Sequence, residues 1–176
     1  GYGIVPTSST TAQLAIGDAL AISLMYQKKF NKMDFKKFHP SGNLGKKLRT
    51  VEDLMLKNRR IPFVEENSSL SRAIKIINNK KLGVAIIRNK KGETTGIFTD
   101  GDIKRTIQKK SNIKSLMIKS FMTRNPISVN KDILAAKAVS IMNEKKITSL
   151  CVYKKSNQKK TIGILHIHSL IDANIF

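Results

Sequence analysis

The 176-residue chain carries 33 Lys and Arg against 12 Asp and Glu, a formal charge of +21, and 40% of its residues are apolar, enough to build the core of one ordinary domain or two small ones. No run approaches the roughly 18 uninterrupted apolar residues of a membrane span, and no charged stretch followed by an apolar core opens the chain as a secretory signal would, so a cytoplasmic protein without membrane contact is expected. The charge alone would suit a polyanion, but the lysines arrive as scattered pairs such as Lys28-Lys29, Lys90-Lys91 and Lys159-Lys160, with little Arg and no Trp, which describes a solvated surface and argues against a nucleic-acid partner.

The chain opens on Gly1, without an initiating Met and with a helix signal inside ten residues, as expected of a larger protein whose N-terminal part is missing. From Pro6, PTSSTTAQLAIGDALAISLMYQKKF reads as a helix with a hydroxyl-rich start and a body of small residues (Ala12, Ala15, Gly17, Ala19, Ala21) that permits a tightly packed partner. MDFKKF signals a short helix. HPSGNLGKKL follows, and its Pro40, Gly42 and Gly45 predict an ordered turn; His39, before a proline, reads by itself as an exposed loop histidine.

Two copies of one pattern fill the remainder. Ser69 to Ile103 can be laid on Ile133 to Leu170, so that Ala73 falls on Ala138, Asn78 on Asn143, Lys80-Lys81 on Lys145-Lys146, Leu82 on Ile147 and Gly96 on Gly163. The leads VEDLMLKNRRIPFV and IKSFMTRNPISV also match, Met55 with Met122 and Pro62 with Pro126. Each copy predicts a helix with an apolar face (Leu70, Ala73, Ile74, Ile77; then Leu134, Ala138, Val139, Met142), two strands joined by a polar hairpin, and a final helix. Such β-α-β-β-α units are too small to bury much surface alone, so an α/β pair with a pseudo-twofold axis is expected. Cys151, the single cysteine, lies in the apolar run LCVY and is expected to be a core residue.

Within the first copy, GIFTDGDIKR runs from a strand into a helix. Thr99 and Asp102 have the spacing of a capping box, worth about 1 kcal/mol, and the same pair suits an anion at the helix start and hydroxyls on the carboxylate. The second copy has His166 and Ser169 there, and Ser169 cannot replace a carboxylate. His166 and His168 alternate in LHIHS; without a nearby carboxylate or Cys they predict a turn or helix start, and no metal site is expected.

The repeat resembles a tandem pair of cystathionine-β-synthase (CBS) domains from Val51 to Phe176. That resemblance implies nucleotide binding between the copies, with Thr99, Asp102, Ile61, Val84, His166 and His168 as the binding residues, and a regulatory nucleotide, either an adenine nucleotide or CMP-Kdo. PTSSTTAQLAIGDALA and FHPSGNLGKKL further resemble the C-terminal end of the sugar isomerase (SIS) domain in bacterial D-arabinose 5-phosphate isomerases, which carry a CBS pair after it. The implied organisation is a SIS remnant and linker over 1–50, CBS domain 1 over 51–112 and CBS domain 2 over 113–176. The implied activity of the parent is interconversion of D-ribulose 5-phosphate and D-arabinose 5-phosphate for Kdo and lipopolysaccharide synthesis. His39 matches the family's catalytic histidine of an HPGG-like segment, with Ser41 in place of a frequent Gly, and the resemblance implies that Thr7, Ser8, Ser9 and Thr10 border the sugar-phosphate site. An imidazole titrating near about 6.5 suits the proton transfers of an enediol isomerisation, for which no metal or redox cofactor is required. The family's phosphate loop, its catalytic glutamates and most of its sheet precede the segment matching Pro6, so this chain alone is expected to be inactive. Association is expected too, tetrameric in the parent. The alternative reading is a stand-alone nucleotide-sensing CBS module without catalysis.

Overall fold

The computed structural model describes residues 3–39, 42–109 and 116–175, and they form two units, 1–48 and 49–176. The expected boundary between 112 and 113 lies outside the described residues, as do Pro40 and Ser41.

In the first unit, α1 (Thr7–Gln27) is followed by α2 (Lys32–Phe38) and α3 (Asn43–Lys47). The hydroxyls of Ser9 and Thr10 turn back to the Pro6 carbonyl, which also accepts the Thr10 N–H, and that of Thr11 turns back to the Thr7 carbonyl. The Asn31 side chain accepts from the N–H groups of Met33 and Asp34, and the Asp34 carboxylate accepts from Asn31 N–H, a capping box that starts α2. Where a turn is predicted after Pro40, the chain instead closes a short helix, Lys46 N–H donating to the Gly42 carbonyl at 2.9 Å.

The second unit runs α4 (Val51–Leu54), β1 (Leu56–Lys57), β2 (Phe63–Glu65), α5 (Leu70–Lys80), β3 (Val84–Arg88), β4 (Thr94–Thr99), α6 (Asp100–Lys109), then β5 (Thr123–Arg124), β6 (Ser128–Asn130), α7 (Ala135–Lys145), β7 (Ser149–Lys154), β8 (Asn157–His166) and α8 (Ile167–Asp172). Each copy is β-α-β-β-α, with a parallel first pair and an antiparallel hairpin. The unbroken apolar run of β3 is explained by burial on both faces. Ala85 and Ile87 pack on the helical side with Leu70, Ala73 and Ile77; Val84 and Ile86 face the other sheet, where Cys151 and Ile164 meet them. Cys151 is a core residue as expected, and burial pushes its thiol up to about 12. Leu134 departs from the predicted apolar face of its helix: it is the N-cap of α7 and is 39% exposed.

The leads trade places. β1, from the first copy's lead, pairs with β8, and β5, from the second copy's lead, pairs with β4, so the sheets read β1-β8-β7-β6 and β2-β3-β4-β5. This explains the repeated glycines and methionines: Met122 lies over Gly96 and Met55 over Gly163. A Cβ on Gly96 would come within 2.9 Å of the Thr123 carbonyl, and one on Gly163 within 3.1 Å of the Leu56 carbonyl.

Candidate functional site

The exchange of leads brings the two strand-to-helix turns to one end of the interface between the sheets. A cavity of about 610 Å³ opens there. Its apolar wall includes Leu82, Val84, Ile97, Ile127 and Ile147, and its polar rim includes Lys81, Thr99, Asp100, Lys146, Ser149 and His168.

Lys81 and Lys146 occupy equivalent places in the repeat. Each ends its helix in the left-handed conformation, at φ of 55° and 51°, which turns the chain back toward the sheet and sets the lysine at the rim. Thr99 and Asp102 form the predicted capping box: Asp102 accepts from the Thr99 N–H (2.9 Å) and Oγ (2.8 Å), and its own N–H donates to Thr99 Oγ at 3.3 Å. The second Asp102 oxygen takes Arg105 at 2.6 Å. Asp102 is buried and occupied by these partners and does not line the cavity, whereas Thr99 does. The carboxylate that reaches the cavity is Asp100, seated against Gly83, whose φ of +63° and missing side chain leave room for it.

In the second copy, His166 is the N-cap of α8, and its Nδ1 accepts from the His168 N–H at 3.3 Å. Burial, then the neighbouring His168, hold His166 below the usual histidine range, so it is neutral at pH 7 with its proton on Nε2. The two rings lie 5.0 Å apart, and both line the cavity. Ser149, paired across the hairpin with His166, is 9% exposed, and its hydroxyl is the buried side-chain polar atom that has no partner among the described residues. Among the described residues no group of three or more His, Cys, Asp or Glu side chains is placed to hold a metal ion.

Of the expected nucleotide set, Val84, Thr99, His166 and His168 converge on this cavity, while Ile61 is buried in the inter-sheet core and does not line it. Sequence reasoning missed Ser149, Asp100 and the two lysines. The lysines were within reach, since the repeat itself aligned Lys81 with Lys146. His39, in the other unit, ends α2 with its ring on Phe35 at 4.6 Å and is exposed, and Thr7, Ser8, Ser9 and Thr10 are exposed in the first turn of α1. Among the described residues no hydrogen bond or ring contact joins His39 to that turn.

Comparison with known proteins accords with this geometry. A family model described as "CBS domain" matches residues 51–109 and 118–175. The chain is 38% identical over 174 residues to "Arabinose 5-phosphate isomerase KdsD" of Salmonella typhimurium, covering 98% of this chain and 52% of that protein. It is 40% identical over 173 residues to the Francisella tularensis protein of the same name, with the same coverage. The chain thus spans about half the length of the curated relatives it matches. Among solved structures, CBSX2 in complex with AMP superposes with a TM-score of 0.61 at 23% identity, over 72% of this chain and 96% of that one, a likeness of fold.

Proposed function

The chain belongs to the CBS-domain family, and from that premise we propose that residues 49–176 are a regulatory module whose inter-copy cavity binds a nucleotide, carried by a protein that interconverts D-ribulose 5-phosphate and D-arabinose 5-phosphate. The single observation that carries the nucleotide reading is the cavity itself. It has an apolar wall broad enough for a base, two helix starts facing it, and hydroxyl, carboxylate and ammonium groups at its rim. AMP in a structure of the same fold supports an adenine nucleotide; CMP-Kdo, as a product of the pathway, is the competing effector.

The isomerase reading rests on relatives named for that activity, of which the chain spans about half. In it, His39 moves protons between the neighbouring carbons of the sugar phosphate, Thr7 to Thr10 border the phosphate, and the parent protein works in the cytoplasm as a homo-oligomer. One imidazole and one helix turn do not form a sugar-phosphate site, so the 176-residue chain shows no turnover in a coupled assay. Turnover abolished by His39→Ala would overturn this.

A thermal-shift series with AMP, ATP, CMP and CMP-Kdo tests the nucleotide reading. A ligand at 100 times its Kd adds about 2.7 kcal/mol, which for a protein of this size raises Tm by roughly 5–11 °C. A shift with one of the four identifies the effector. No shift with any, in a protein that melts cooperatively, removes the nucleotide reading.

A further inference from the structure

The two halves of the cavity are equivalent in backbone and opposite in chemistry. Position by position along the strand-to-helix turns, Thr99 matches His166, Asp100 matches Ile167, Gly101 matches His168 and Asp102 matches Ser169. The first copy therefore places two carboxylates at its helix start, and the second places none. Asp102 is consumed by the cap and by Arg105, but Asp100 stands at the cavity rim with its carboxylate exposed. One strand back, Val84 of the first copy matches Ser149 of the second, so an apolar wall faces a buried hydroxyl without a partner among the described residues.

An anion entering this cavity meets repulsion on one side and donors on the other. On the first copy's side, the Asp100 carboxylate accepts hydrogen bonds and disfavours negative charge; a ribose, with two neighbouring hydroxyls to donate, suits it. On the second copy's side lie the Ser149 hydroxyl and the His168 ring, with Lys146 at the rim and Lys81 across from it. The unpaired Ser149 hydroxyl is the independent observation. Left unsatisfied it destabilises the fold, and an acceptor oxygen reached by rotation of the side chain removes that penalty.

We propose that the cavity binds a phosphorylated nucleoside in one polarity, with the phosphoryl group on the second copy at Ser149, His168, Lys146 and Lys81, and the ribose toward Asp100 of the first copy. The proposal rests on the nucleotide reading above and adds the orientation and the residues that read the charge.

Isothermal titration of the full chain with AMP and with adenosine tests this in wild type, Ser149→Ala, His168→Asn and Asp100→Asn. Ser149→Ala and His168→Asn should each weaken AMP about tenfold and leave adenosine unchanged. Asp100→Asn should weaken AMP and adenosine alike. Ser149→Ala removes a hydroxyl that has no partner and so melts no lower than wild type, which separates a binding loss from a folding loss. If wild type binds AMP and the Ser149 and His168 variants bind it equally well, the orientation is wrong and the nucleotide reading stands. If wild type binds a cytidine nucleotide in place of AMP, the same variants are read with CMP against cytidine; if it binds neither, both readings fall.

Discussion

His166 shows at the residue scale how one side chain serves fold and cavity together. It caps α8, lines the cavity and is kept neutral by burial. Its folded-state pKa lies below the unfolded value of about 6.5, so between the two the unfolded chain binds a proton that the folded chain refuses. The stability this contributes is full above 6.5 and is lost as pH falls through the folded pKa. Tm should therefore decline from pH 7 to pH 5 more steeply in wild type than in His166→Asn, which keeps a capping side chain without a titrating ring. Equal slopes would remove the role assigned to the ring. Asp102 makes the complementary case, since Asp102→Ala should cost about 1 kcal/mol through the lost cap and lower Tm with or without nucleotide. If Asp102→Ala instead leaves the apo Tm unchanged and only abolishes the AMP-induced shift, its carboxylate serves the ligand and not the helix. Here the sequence was readable as far as residue types and spacing allow: the capping box was evident from Thr-Asp-Gly-Asp. Which of Asp100 and Asp102 faces the cavity depends on where the helix axis points, and spacing does not carry that.

At the scale of elements, the exchanged leads tie the copies together, and the glycine-methionine pairs are what permit it. Gly96→Ala would drive a methyl group into Met122 and the Thr123 carbonyl, and Gly163→Ala would do the same with Met55 and the Leu56 carbonyl. Overpacking of this kind costs about 1–3 kcal/mol, and at roughly 2–4 °C per kcal/mol each variant should melt about 2–12 °C below wild type. Because a backbone carbonyl shares each contact with a flexible side chain, Met122→Ala should restore only part of the loss in Gly96→Ala. Full rescue would mean that the backbone contact is not limiting. The repeat alignment had marked both glycines and both methionines, and it predicted every strand and helix of the two β-α-β-β-α units. It did not pair them. Strand exchange is a long-range choice, made by burying β1 and β5 on sheet edges, and a two-residue strand has no periodicity to announce it. The same limit explains Leu134, where a one-residue shift of the helix start moves a side chain from the core face to the cap.

The whole molecule divides by how each unit treats its apolar residues. The three cores of residues 49–176 draw their buried members only from positions between Val51 and Ile175, so that unit contains what it needs to fold. In α1, by contrast, Leu14, Ile16, Leu20 and Ile22 are each more than half exposed, and apolar residues occur on all sides of the helix. A helix apolar all round is stable only when it is surrounded, and an exposed surface of this kind favours association. A fragment of residues 49–176 should therefore unfold cooperatively at the midpoint of the full chain's transition, with the same nucleotide-induced shift. It should also bind much less of the dye ANS and elute as a smaller, concentration-independent species in gel filtration. A fragment that is unfolded, or that has lost the nucleotide shift, would show that the first unit completes the second. A fragment that binds as much dye as the full chain would place the sticky surface on the CBS pair instead of on α1.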